Sequence, residues 1–568
     1  MPPGRRWHPG AWPAGVRDSV FIAVIAALSA SRYVTALGFY SDDWWFLGGF
    51  GATTHPTLPW LFRSFYSPEV LMRPGQALYL STLYWLFGRD PLGYHLVNTA
   101  MLAAGAILFH LVLRELQRPR AVALAVALVY LLLPHYATVR FWYAAFQITL
   151  SMTTYFLSLY ADLRALSVPP RARLAWKVLA ITALLASTLS YEIFLPFFAL
   201  NPVIAWYRTR QLAGASPALA IPRPLALAAP TLLTLAAVCA FKAAVTSRIE
   251  PATFEQHVRW FTWFLAAVIH TGATGPYGIA LPMLVRQIMR EYADPTALVA
   301  SIATALAIGW YLARVATESH RQESHRQWIT RRDGLILVAC GIVTFPLGYS
   351  IFLTNFNADL SPTGIVNRTA MAASTGVALV LVGGIGLAST LPRAGRWRVG
   401  VFAALGSLIC AVGVLVVNTL SLFWITAAQR QQAVLDALGR HLPSVTRGGV
   451  VMLDGVCPYV GPAPVFETSW DFTGALRLTY GDQSLRGDVI TPTTEVRTDG
   501  LYTRIYHFTE GPYRYRDLVI FNAQRMTTYT VPDARAADAY FRAFNPDRSS
   551  GCPWSTAGTG EPVFEPRD

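Results

Sequence analysis

The chain has 568 residues, of which 54% are hydrophobic and 14% charged. A soluble domain carries about 25% charged residues, so a purely soluble, disordered or fibrous protein is excluded. The net charge is +14, from 46 basic and 32 acidic residues. The positive charge falls in short clusters between apolar blocks, not along one face or groove, so it reads as membrane topology and no nucleic-acid partner is expected.

The apolar blocks are about 20 residues long, enough to cross a hydrocarbon core of roughly 30 Å. Arg5, Arg6 and Arg17 precede the first, residues 19–37. No small-residue cleavage site follows it, so it reads as a retained span with a cytoplasmic N-terminus. Further spans are expected near 95–116, 121–134, 147–165, 175–190, 193–207, 225–246, 296–315, 334–354, 370–390 and 399–421. Basic clusters alternate with them: Arg114, Arg118 and Arg120; Arg164, Arg171, Arg173 and Lys177; Arg208, Arg210 and Arg223; the run from Arg314 to Arg332; and Arg393, Arg396 and Arg398. Eleven spans put the C-terminal tail outside. The expected fold is an α-helical polytopic protein of the plasma (inner) membrane, with a small extracytoplasmic α/β domain at the C-terminus. The membrane part covers residues 1–425 and the tail domain 429–568.

The outer loops are then 39–94, 135–146, 248–295 and 355–369. Loop 39–94 carries five prolines and is long enough to suggest a function. Region 248–295 is aromatic but interrupted by Arg259, His270, Arg286 and Arg290, and reads as an outer loop with interfacial helices. In the tail, period-two apolar stretches at 450–453, 475–480, 501–508 and 517–521 read as strands, and 534–544 as a closing helix. Cys239, Cys340 and Cys410 lie inside apolar blocks as packing residues. Cys457 and Cys552 are the pair left in an oxidising compartment and are a disulfide candidate.

Asp42 and Asp43 follow the first span directly, among Tyr40, Trp44 and Trp45. Carboxylates beside the hydrocarbon region are expensive and mark function more often than chance. Such a group can act as a general base toward an acceptor hydroxyl, or hold a divalent cation against a phosphate. The bland alternative is loop solvation or capping of a helix by Asp42.

The order of features resembles the GT-C superfamily of membrane glycosyltransferases, near the protein O-mannosyltransferase and aminoarabinose transferase branch. It comprises a first span, the acidic pair, Arg73-Pro74, and the segment from Gly93 through Tyr94 and His95 to Asn98. Leu133-Pro134-His135, Arg140-Phe141-Trp142, Tyr191-Glu192 and Leu195-Pro196 follow. The resemblance covers residues 19–210 by motif order and 211–425 by span count. It implies inverting transfer of a sugar from a polyprenyl-phosphate-linked donor to a glycan, lipid or protein acceptor in the cell envelope. It also implies that Asp42, with Asp43 second, supplies the general base. A lipid-phosphate leaving group calls for arginine, whose planar fork binds phosphate in bidentate fashion; Arg73, Arg140 and Arg368 are the candidates. His95, Glu192 and His270 are candidates for acceptor binding or support of the site. No cofactor is required; a divalent metal is compatible with the carboxylates but not demanded. Membrane lipids are the remaining partner. A lipid or solute transporter, or a scaffold binding an envelope polymer, is the competing class. A transporter should place charges mid-span and show matching halves, and neither is seen.

Overall fold

The computed structural model describes residues 13–549 and Cys552, apart from 54–55, 67–69, 216–223, 247–253, 268–280, 293, 323–328, 355–360, 362, 393 and 506–507. The first helix, α1 (Ala14–Ala30), leads through a turn into three short helices: α2 (Asp42–Phe50), α3 (Leu58–Phe65) and α4 (Pro74–Phe87). These three make up the 39–94 loop. Then come α5 (Pro91–Glu115), α6 (Arg120–Leu132), α7 (Thr138–Phe141), α8 (Phe146–Ser167), α9 (Pro170–Ser190), α10 (Asn201–Ala215) and α11 (Pro224–Thr246). Among its described residues, region 248–295 holds two short helices, α12 (Phe254–Ala267) and α13 (Leu281–Glu291). The membrane part ends with α14 (Pro295–Gln322), α15 (Arg331–Tyr349), α16 (Ala373–Ser389) and α17 (Gly395–His441).

Among the described residues six helices are long and apolar enough to cross a membrane: α5, α9, α11, α14, α15 and α17. The chain is a multi-pass membrane protein. The other five expected spans also lie on helix but are shorter, interrupted or less apolar, so length and composition alone single out six of the eleven. α6 spans 13 residues, about 20 Å of rise. From Ala121 to Leu132 every residue of α6 is buried, so its all-round apolar surface reflects a central position in the bundle. The block expected at 193–207 is broken: Glu192–Ala199 is a 3-10 helix containing Pro196, followed by α10. Proline has no N–H for the ladder and its ring collides with the preceding turn.

Two contacts fix the bundle. α15 and α16 meet backbone to backbone at Gly341 and Gly376, where a Cβ on Gly341 would lie 2.5 Å from the Gly376 carbonyl, the small-residue packing favoured between membrane helices. Asp18 of α1, fully buried, takes Nε and Nη2 of Arg120 at 2.8 and 2.7 Å and the Tyr311 hydroxyl at 2.9 Å. A buried charge needs such partners, and they tie α1 to α6 and α14.

α17 is 47 residues long, about 70 Å, more than twice the hydrocarbon thickness. The change in composition at Gln429 therefore falls inside one continuous helix that carries the chain from the membrane part to the C-terminal domain. That domain has a four-stranded sheet in the order β4-β1-β8-β9. β1 (Val450–Asp454) pairs in parallel with β4 (Arg486–Val489) and β8 (Leu518–Asn522), and β9 (Thr527–Thr530) is antiparallel. β2 (Tyr459–Val460) and β3 (Ala463–Pro464) form a ribbon; β5 (Glu495–Arg497), β6 (Gly500–Ile505) and β7 (Phe508–Tyr513) form an antiparallel meander. The closing helix is α19 (Ala534–Phe544). Cys457 and Cys552 are disulfide-bonded with Cα atoms 5.5 Å apart.

One expected strand is corrected. Residues 475–480 lie in α18 (Ser469–Tyr480). Thr468 and Asp471 form a capping box at its start, and Gly481 closes it in the left-handed conformation. Phe472, Ala475 and Leu476 are buried on one helical face, and that three- and four-residue spacing outranks the local alternation.

Candidate active site

The acidic pair opens α2, and its two members do different things. Asp43 is fully buried. Its carboxylate accepts the amides of Tyr40 at 2.9 Å, Ala144 at 2.7 Å and Tyr143 at 3.3 Å. These bonds staple the 39–94 loop to the segment that leads into α8. Asp43 is thus held by three backbone amides.

Asp42 is part-exposed and faces Arg368 and Trp470. Burial pushes its carboxyl above the ordinary carboxylate range, while the charge of Arg368 and the hydrogen bond of Trp470 pull the other way. A carboxylate balanced in this manner is a better base than a solvated one.

The turn that aims Asp42 is strained. The amide of Asp43 donates to the Tyr40 carbonyl at 2.9 Å, and Ser41 sits at φ 48°, ψ −122°. Those angles suit the first central position of a type II′ turn, where glycine is preferred. A non-glycine residue there costs about 1–3 kcal/mol and persists only where its surroundings hold it. The Ser41 hydroxyl donates to Glu467, whose other oxygen accepts the hydroxyl of Tyr459. Glu467 and Trp470 belong to the C-terminal domain.

Arg368 lies in the 3-10 turn Ile365–Ala370 and donates to the Ile365 carbonyl at 2.7 Å. Its guanidinium stacks 5.0 Å above the ring of Trp142, and Trp142 Nε1 donates to the Tyr40 carbonyl at 3.0 Å. The neighbouring Asn367 accepts the Thr138 amide at 3.1 Å, which fixes this turn against α7.

The other arginine candidates lie elsewhere. Arg140 is buried, donates to the Leu131 carbonyl and lies 5.5 Å over the Tyr136 ring. No described contact takes it to Asp42. Arg73 donates through Nε to both oxygens of Glu192, at 3.1 and 2.9 Å, and stacks 4.4 Å over Tyr191. Lys242 Nζ also meets Glu192, at 2.7 Å, and the Met72 carbonyl at 2.8 Å. Two cations thus share one carboxylate. His95 is buried with Nε2 3.3 Å from the Gly38 carbonyl; it supports the backbone leading to Asp42. His270 lies outside the described residues.

Sequence reasoning missed Glu467 and Trp470, because nothing local marks a tail residue as belonging to a loop more than 400 residues earlier. Trp142 stands in the Arg140-Phe141-Trp142 segment, where its sequence gives it no role of its own. Asp42 faces a cationic guanidinium, and among the described residues no three His, Cys, Asp or Glu converge. A cavity of about 470 Å³ lies between α2, α17 and α18, lined by Phe39, Trp44, Leu47, Arg89, Gln431 and Leu478 among others. Trp44 sits about 200° around α2 from Asp42, so this cavity opens on the other face of that helix.

No family model and no curated protein matches the chain. Among solved structures, ArnT of Cupriavidus metallidurans bound to undecaprenyl phosphate is 17% identical over 82% of this chain and 88% of its own, with a TM-score of 0.35. Its apo form gives 16%, 78%, 83% and 0.33. The oligosaccharyltransferase of Archaeoglobus fulgidus tethered with an acceptor peptide is 12% identical, covers 85% of this chain and 64% of its own, and has a TM-score of 0.38.

Proposed function

We propose that this protein transfers a sugar from a polyprenyl-phosphate-linked donor to an acceptor at the extracytoplasmic membrane surface, with inversion at the sugar carbon. Asp42 is the general base. It takes the proton of the acceptor hydroxyl as that oxygen bonds to the anomeric carbon. The bond from that carbon to the phosphate oxygen breaks, and polyprenyl phosphate leaves with its electron pair.

The observation that carries this reading is the division of labour in the acidic pair: Asp43 is consumed by three amides, while Asp42 is held part-exposed beside a cation. The transition state is oxocarbenium-like, as in glycoside hydrolysis, and fixed charges in a partly dry site act on it strongly. Arg368 is assigned to the donor phosphate, with Arg73 and Lys242 around Glu192 as a second cationic group. No cofactor is needed for this chemistry. The acceptor class is a glycan, lipid or protein. In this reading the N-terminus is cytoplasmic, the membrane unit is 1–425, and the domain 429–568 faces outward over the reacting groups.

The test is to incubate the purified full chain in lipid nanodiscs with a panel of polyprenyl-phosphate sugars and to measure released polyprenyl phosphate. Release from at least one donor, abolished in Asp42→Asn, is expected. Native rates in Asp42→Asn, or no release from any donor, would overturn the reading.

A further inference from the structure

The strained turn at Ser41 needs an external hold, and the hold comes from a different part of the chain. We infer that Glu467 is a positioning residue: by accepting the Ser41 hydroxyl it fixes the Tyr40–Asp43 turn, so that Asp42 faces the site only while the C-terminal domain is docked. The inference rests on Asp42 being the base, and deepens that reading.

Glu467 is suited to the task. It is 2% exposed, so its carboxylate has little water to compete for it. One oxygen takes the Ser41 hydroxyl and the other the Tyr459 hydroxyl. Its own amide donates to Asp471 at 2.8 Å, and Asp471 caps α18. The clamp is therefore built on the first turn of the helix that also carries Trp470 to Asp42. α18 and the turn after it are seated on α2: Arg477 of α18 lies 5.3 Å over the ring of Trp45, and Gln483 Nε2, just beyond the helix, donates to the Gly48 carbonyl at 2.9 Å. One docking surface thus supplies both the hold on the turn and an aromatic partner of the base.

Ser41 offers a clean way to separate positioning from bulk stability. At φ 48°, ψ −122° a serine must be held, whereas glycine adopts that mirror-extended region without cost. In Glu467→Ala the turn relaxes and Asp42 swings out of register. Adding Ser41→Gly lets the turn form again without its clamp.

The experiment uses the full chain in nanodiscs with a donor it accepts. Glu467→Ala is expected to lower kcat more than tenfold with donor KM within twofold, and to speed amide exchange in a peptide covering residues 40–50. The double variant Ser41→Gly/Glu467→Ala is expected to recover most of kcat. Glu467→Gln, which keeps a carbonyl oxygen for Ser41, should lie between native and alanine. The inference is overturned if Glu467→Ala keeps kcat within twofold, if exchange in residues 40–50 is unchanged, or if the double variant stays as slow as Glu467→Ala. Transfer by Asp42→Asn would instead remove the base assignment, and the exchange arm would still judge the clamp.

Discussion

The guanidinium of Arg368 lies 5.0 Å over the ring of Trp142, and the Trp142 indole N–H holds the carbonyl of Tyr40 at 3.0 Å. A cation is thereby fixed to the same backbone turn that presents Asp42, which keeps the two charges in a set relation. Burial raises the proton affinity of Asp42 and Arg368 lowers it. A base works only when ionised, so transfer is lost as pH falls through the raised value. The acid limb of kcat/KM is expected above the ordinary carboxylate range, which centres near 3.9. Arg368→Gln removes the opposing charge, so Asp42 holds its proton to higher pH and the limb shifts upward. A pH profile of the two proteins decides it; an unmoved limb would show that Arg368 does not act on the titrating group.

Asp42 and Asp43 should separate by kind of defect. Asp42→Asn keeps the helix start and exposes no new buried donor, so the protein should fold and lose at least about 100-fold in turnover, the scale of a general base. Asp43→Ala strands the amides of Tyr40, Tyr143 and Ala144, each worth about 1–3 kcal/mol when left buried without an acceptor. It should melt well below the native protein in detergent. Thermal melting beside turnover separates the two, and a stable, inactive Asp43→Ala would reverse their roles.

The membrane class, the acidic pair and the C-terminal α/β domain were all legible, because hydropathy, local charge and turn chemistry are local signals. The partners of Asp42 were not. Arg140 looked like Arg368, a lone arginine at the mouth of an apolar block, and only packing tells them apart: one is buried on the Leu131 carbonyl, the other stacks beside Asp42. Glu467 carries no sign in its own neighbourhood, since its partner Ser41 is 426 residues away. The helix at 469–480 was hidden by an alternation of six residues, although the Thr468 and Asp471 cap that starts it stood in the sequence.

Asp488 should make the C-terminal domain more stable in mild acid than at neutral pH. It is buried, and its carboxyl is pushed up to about 6 by that burial, against hydroxyl hydrogen bonds from Thr503 and Tyr513. The folded domain then binds the proton more tightly than the unfolded chain, whose value lies near 3.9. The stabilisation is complete below pH 4 and is lost as pH rises through 6, a difference of about 3 kcal/mol. Asp488→Asn cannot titrate and keeps a carbonyl acceptor for Tyr513. Its melting temperature relative to native should therefore rise between pH 4.5 and pH 7.5. A constant difference would mean that Asp488 titrates alike in both states.

Docking of the C-terminal domain turns on one glycine. A Cβ placed on Gly474 of α18 would lie 2.1 Å from the carbonyl oxygen of Trp44 and 2.7 Å from the amide nitrogen of Trp45. Both are backbone atoms of α2, so no side-chain rotation relieves the clash, and α18 must lift away. Gly439 of α17 has nothing within 4 Å of such a Cβ and serves as the comparison, since alanine in an open helical position stabilises by up to about 1 kcal/mol. Gly474→Ala should lose most transfer because Trp470 and Glu467 withdraw with α18, while the membrane helices stay folded. Gly439→Ala should keep native transfer and melt no lower. Turnover and far-ultraviolet melting on both variants decide it. Full transfer by Gly474→Ala would mean that Asp42 works without the contact between α18 and α2.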